Sequence, residues 1–198
     1  MLVEASVYDA AVEKAAAVAK SIEVGPAGKE GAHIGPVVNK VQWGKIQDLI
    51  QTGIDEGARL VAGGPGLPEG FNKGFYVRPT VFADVTNDMT IAREEIFGPV
   101  LSIMKFDTEE QAVEIANDTP YGLTDYVQSQ DGARRNRLAR QLRAGMVEMN
   151  GESRGPGAPF GGMKMSGNGR EGGSWGIHDF VEVKAVSAWA LDAPDAAE

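Results

Sequence analysis

The chain has 198 residues, 19 basic and 28 acidic side chains, a formal net charge of −9, 42% hydrophobic residues and no cysteine. A chain of this length buries roughly 70% of its extended surface on folding, so one real core is expected and general disorder is excluded. The acidic balance argues against a nucleic-acid groove. No apolar run approaches the ~20 residues of a membrane span, and without cysteine there is no disulfide, zinc–thiolate site or thiol nucleophile among these residues.

Ser6 is a good N-cap for a first helix running to about Lys20, with Tyr8, Val12, Ala15, Ala19 and Ile22 on its apolar face. Residues 23–36 are a Gly/Pro loop. A second helix is expected over 39–56, with Trp43, Ile46 and Ile50 inward and Gly57 as a left-handed stop. A short strand at 58–62 and a long loop at 63–74 follow. Residues 75–85 are β-rich, but Pro79 demotes them to an edge or a bulge. Residues 99–106 (PVLSIMKF) form a strand of the buried kind. Asp107 and Glu110 suggest a capping box for a helix to about Asn117. Then come a strand at 126–129, a helix at 130–143 closed by Gly145, and a strand at 146–150. The alternation is that of α/β layers, a sheet with flanking helices.

Residues 150–176 hold ten glycines together with Phe160, Met163, Met165 and Trp175. That is too apolar for a linker, so a structured loop is expected. Residues 181–190 (VEVKAVSAWA) read as a closing strand and 191–198 as a disordered acidic tail.

The residues alone assemble no chemistry. The five arginines between 134 and 143 read as a solvated helix flank. His33 and His178 have no neighbouring His or Cys partner, so no metal centre is expected. Glu94 and Glu95 are adjacent and point apart. The glycine run fits neither the dinucleotide G-x-G-x-x-G pattern nor the P-loop.

The longer words carry more. Residues 94–100 (EEIFGPV), 117–123 (NDTPYGL), 144–150 (AGMVEMN) and 159–171 (PFGGMKMSGNGRE) resemble, in order and spacing, the aldehyde dehydrogenase superfamily. Residues 35–42 (GPVVNKVQ) and 74–84 (GFYVRPTVFAD) are similar to the segments that precede them. The resemblance implies an enzyme that oxidises an aldehyde to an acid with NAD or NADP. A cysteine thiolate attacks the carbonyl, hydride goes to the nicotinamide, and glutamate-activated water releases the product. In that family the cysteine, the glutamate base and the Rossmann domain precede the region matched here. The expectation is therefore a fragment: residues 1–180 as the C-terminal portion of the catalytic domain and 181–190 as an oligomerisation strand. It would have no catalytic residue of its own and no dehydrogenase activity alone.

By the same resemblance, Glu95 accepts from the nicotinamide ribose and Phe97 packs beside the nicotinamide. Gln42 and Lys45 approach the cofactor riboses, and Phe160 lines the aldehyde pocket beside loop 151–158 (GESRGPGA). The backbone at Lys164 and Gly167 matches positions that hold a monovalent cation in some members. The implied cofactor is NAD or NADP in the complete enzyme, without tight binding to the fragment. The implied partners are a small aldehyde and further copies of the chain, with no nucleic acid or membrane, in the cytoplasm. Two alternatives stay open: a non-catalytic oligomerisation or binding module, and a fragment of an acylating, CoA-dependent semialdehyde dehydrogenase.

Overall fold

A computed structural model describes residues 1–31 and 33–188. It has two compact units, residues 1–120 and residues 121 onward, in an α/β architecture.

In the first unit, β2 (Arg59–Ala62), β3 (Thr80–Ala83) and β4 (Val100–Ser102) form a sheet, β2 antiparallel and β4 parallel to the central β3. All four residues of β3 are buried. Side chains alternate across a strand, so Val81 and Ala83 join the cluster of α1 (Tyr8–Ser21), while Phe82 joins that of α2 (Lys40–Asp55). A strand covered on both faces reads as a near-continuous apolar run; Val81, Phe82 and Ala83 supply it, and the buried Thr80 hydroxyl donates to the Arg78 carbonyl and accepts from the Gly64 amide.

The structure corrects several boundaries. Val7, not Ser6, occupies the N-cap of α1, and the Ser6 hydroxyl donates to Glu4 instead. Tyr8, Val12, Ala16 and Ala19 are buried in α1, and Ile22 is exposed. Helix α2 behaves as expected. Asn39 accepts from the Gln42 amide at 2.9 Å, and Gly57 closes the helix at φ +92°. The Gly57 and Ala58 amides bond back to Ile54 and Gly53, a Schellman closure. Pro79 does not put its strand on an edge: β3 starts one residue later and is central, and the register irregularity falls in β2 between Leu60 and Ala62. The expected strand 99–106 is split at Ile103. Val100–Ser102 pairs with β3, and β5 (Met104–Phe106) pairs in parallel with β1 (Leu2–Glu4). Ahead of α4 (Glu109–Asn117), Thr108 rather than Asp107 is the cap. It accepts from the Gln111 amide, while the Gln111 side chain accepts from the Asp107 amide.

The second unit begins as a β–α–β crossover. β6 (Thr124–Val127) pairs in parallel with β7 (Met146–Met149), joined by α5 (Gly132–Gln141). Asp131 caps α5 by accepting from the Ala133 and Arg134 amides. β6 lies two residues earlier than its expected place. The glycine loop is structured, as expected. A Cβ on Gly145 would lie 1.8 Å from the Gly161 carbonyl oxygen, so two backbone segments touch there. Arg170 Nη1 donates to the carbonyls of Gly162 and Gly169 at 2.6 and 2.8 Å. Residues 181–188 pair with no strand among the described residues; Trp189 and Ala190 of the expected strand, and the tail 191–198, lie outside them.

Candidate functional site

In the first unit the expected cofactor residues gather around one loop. α3 (Thr90–Arg93) ends at Glu94, and the chain runs through Glu95, Ile96, Phe97 and Gly98 into β4. Ile96 is buried in the α2 cluster and anchors the loop. Gly98 rests on α2 so closely that a Cβ would lie 2.6 Å from Ile46 Cδ1. Between these anchors Phe97 adopts φ +54°, and the residue is 72% exposed. A bulky residue in this region costs about 1–3 kcal/mol, so something must hold it.

Helix α2 does. Gln42, Lys45 and Ile46 follow at helix spacings of three and four, hence on one face. Gln42 Nε2 donates to the Ile96 and Phe97 carbonyls at 3.0 and 3.1 Å. Lys45 Nζ donates to the Glu95 carbonyl at 2.7 Å. Three such bonds, each worth about 0.5–1.5 kcal/mol net, match the cost of the left-handed residue. The Glu94 and Glu95 residues are exposed beside the Phe97 ring in sequence. The orientation of Gln42 and Lys45 toward backbone rather than solvent had no signal in the sequence.

In the second unit Phe160 lines a cleft of about 570 Å³ with Arg154, Gly157, Ala158, Glu171 and Gly172. Phe160 and Glu171 exchange both backbone bonds at 2.8 Å, which fixes the cleft floor. The Arg154 guanidinium sits 4.7 Å from the centre of the Phe160 ring, a cation–π contact. Its nearest ion pair, to Glu148, is long at 3.9 Å. Sequence reasoning missed Arg154; its only signal was a lone basic residue in the small polar loop 151–158. The cleft is therefore lined by an aromatic ring with a cation against it.

Two carboxylates are shifted in opposite directions. The Arg59 side chain, 2.6 Å from Asp84, holds that carboxyl below its ordinary value, with a further bond from Tyr8. Burial raises Asp125 on β6, opposed by the charge of Lys164. Lys164 itself has φ +57° and Gly167 φ +112°, and the Lys164 carbonyl accepts from the Gly167 amide at 3.3 Å. His33 is held in its loop, Nδ1 at 3.1 Å from the Gly31 carbonyl and Nε2 at 3.0 Å from that of Pro26. Among the described residues no three His, Cys, Asp or Glu side chains gather as a metal site, and no helix is long and apolar enough to cross a membrane.

Comparison with known proteins gives these features a context. The profile of the aldehyde dehydrogenase family matches residues 1–186. The crystal structure of an aldehyde dehydrogenase from Bartonella henselae is 59% identical, with a TM-score of 0.94, over 96% of this chain and 40% of that one. A mutant of aldehyde dehydrogenase C from Pseudomonas syringae, in complex with NAD+ and octanal, is 46% identical with a TM-score of 0.93, over 98% of this chain and 40% of that one. A Mycobacterium tuberculosis aldehyde dehydrogenase complexed with NAD+ is 44% identical with a TM-score of 0.89, over 96% and 40%. Against curated relatives from Staphylococcus species the chain spans 35–40% of their length.

Proposed function

The chain belongs to the aldehyde dehydrogenase family, and from that premise we propose that its residues serve the NAD-dependent oxidation of an aldehyde to a carboxylic acid. The observation that carries this reading is the loop 95–98. An exposed carboxylate and an exposed aromatic ring stand two residues apart on a backbone held from below by α2. That pair suits a dinucleotide: a carboxylate accepts from vicinal hydroxyls, and a ring offers a face to a planar heterocycle. The nicotinamide, when bound, supplies the hydride acceptor. Glu95 then orients the ribose, and the Phe97 ring limits where the nicotinamide can lie. Phe160, with the wall at 151–158, bounds the space for the aldehyde.

By the resemblance the carbonyl is attacked by a cysteine thiolate, and the 198 residues contain no cysteine. The chain alone is therefore expected to give no turnover. Two relatives are NAD+ complexes and one of those also holds octanal, which makes NAD+ and an aliphatic aldehyde the first pair to try. The test is complementation. The chain is co-expressed with the cysteine-bearing remainder of a relative such as the Bartonella henselae enzyme, and NADH formation is followed by absorbance. Turnover is expected from the pair and not from the chain alone. Glu95→Gln in the pair is expected to raise KM for NAD+ about tenfold, the scale of one weakened charge-assisted contact. No turnover from the pair, or an unchanged KM in Glu95→Gln, would overturn the reading; NADH formation by the chain alone would overturn its expected inactivity.

Self-association belongs to the same proposal. In the second unit Tyr126, Met165, Trp175, Ile177, Phe180 and Val183 are exposed, apolar area that a second copy could cover. Light scattering on the purified chain is expected to show more than a monomer.

A further inference from the structure

We propose that Gln42 and Lys45 are positioning residues: together they clamp three consecutive carbonyls, those of Glu95, Ile96 and Phe97, and so keep Phe97 left-handed with its ring turned outward. The side-chain nitrogen of Gln42 donates to the Ile96 and Phe97 carbonyls at 3.0 and 3.1 Å, so it is engaged by the loop while the loop stays in this shape. Lys45 adds the third bond, at 2.7 Å to the Glu95 carbonyl.

The clamp is itself well seated. The Gln42 amide is bonded to the Asn39 cap, and Trp43 Nε1 donates to the Tyr76 carbonyl at 2.9 Å, fixing the rotation of the first turn of α2. On the loop side, buried Ile96 and the close approach of Gly98 to Ile46 fix both flanks of Phe97. The carbonyls of this stretch meet the two donors of α2. A bulky residue does not favour φ +54° unaided, so removing the donors is expected to release Phe97 into the ordinary extended or right-handed regions.

The consequence for dinucleotide binding rests on the function proposed above; the clamp does not. If only a fraction of molecules presents the ring correctly, apparent affinity falls by that fraction.

The experiment uses the full 198-residue chain, with NMR of the backbone at 94–98 and NAD+ as the probe. Gln42→Met keeps length and loses both donors, Lys45→Met removes the third bond, and Lys45→Arg restores a donor. Gln42→Met is expected to move the Phe97 Cα and Cβ shifts and its HN–Hα coupling out of the left-handed range. About tenfold more NAD+ is then needed for the same shift changes at Glu95 and Phe97. Lys45→Met is expected to do the same to a lesser degree, and Lys45→Arg to look like the parent. Left-handed Phe97 in Gln42→Met overturns the clamp. Should Gln42→Met fail to fold, the exposed Lys45 pair decides, and equal spectra for Lys45→Met and Lys45→Arg overturn it. If NAD+ leaves the parent spectrum unchanged while Gln42→Met releases Phe97, the clamp stands and the cofactor reading falls. If NAD+ shifts Glu95 and Phe97 equally in parent and Gln42→Met although Phe97 is released, the clamp stands and its consequence for dinucleotide binding falls.

Discussion

In residues 1–120 strand β3 is enclosed between α1 and α2, and Ile46, Ile50, Phe82, Ala83 and Ile103 are fully buried. From residue 121 onward only Val127, Ala144 and Met146 count as buried apolar side chains among the described residues, while Tyr126, Met165, Trp175, Phe180 and Val183 stay exposed. The first unit is thus held by side chains packing in two layers. The second is held by backbone: a parallel strand pair, a capped helix, and glycine segments close enough to touch. Apolar residues that do not build a core remain available as surface, which is why the two units should respond differently to the same kind of substitution.

The sharpest way to break this comparison is a pair of truncations. Phe82→Ala removes a fully buried ring and is expected to cost about 3–5 kcal/mol, read as the shift in a urea unfolding midpoint. Trp175→Ala, at 63% exposure, is expected to stay within about 0.5 kcal/mol. Comparable losses in both would mean that the second unit has a packed core after all.

Next in size is Gly145→Ala. The added Cβ meets the Gly161 carbonyl oxygen at 1.8 Å and the Gly162 Cα at 2.9 Å. The backbone must move, at about 1–3 kcal/mol. Amide exchange is expected to accelerate around residues 122, 145 and 161–163, whose backbones are bonded to or touching one another, and to be unchanged in β3. Faster exchange in β3 would contradict the backbone origin of the effect.

The smallest effect is electrostatic and has opposite signs at Asp84 in the first unit and Asp125 in the second. Asp84 is held low by Arg59 and Tyr8, so its contribution is present above the unfolded value near 3.9 and is lost as pH falls through its lower folded value. The pair is half exposed, so solvent screens it and its contribution is small. Asp125 is raised by burial. Its folded state favours the proton, so that contribution is full below the unfolded value and is lost as pH rises through the higher folded one. Carboxyl-carbon NMR titration is expected to place Asp84 below and Asp125 above the ordinary range. The reverse order would undo the assignment.

What the sequence could reveal follows from what each element depends on. α2 was legible almost to the residue, because Asn39 and Gly57 act locally through a cap and a left-handed stop. The words EEIFGPV and PFGGMKMSGNGRE pointed to the family, and with it to loop 95–98 and Phe160. The break at Ile103 was not legible. Nothing local distinguishes a residue whose amide serves the Phe82 carbonyl while its neighbour Met104 serves that of Met1. Pro79 misled for a related reason: its missing donor matters only inside the ladder, and the ladder starts at Thr80. The left-handed Phe97 and the inward donors of Gln42 and Lys45 are tertiary facts, created by a loop 50 or more residues distant along the chain.

The contact between Gly145 and Gly161 has a further implication for how this stretch can vary. Every missense change of a glycine codon introduces at least a β-carbon, and at Gly145 that carbon would fall inside the radius of a neighbouring oxygen. A missense change at this codon therefore carries the cost of displacing the facing segment.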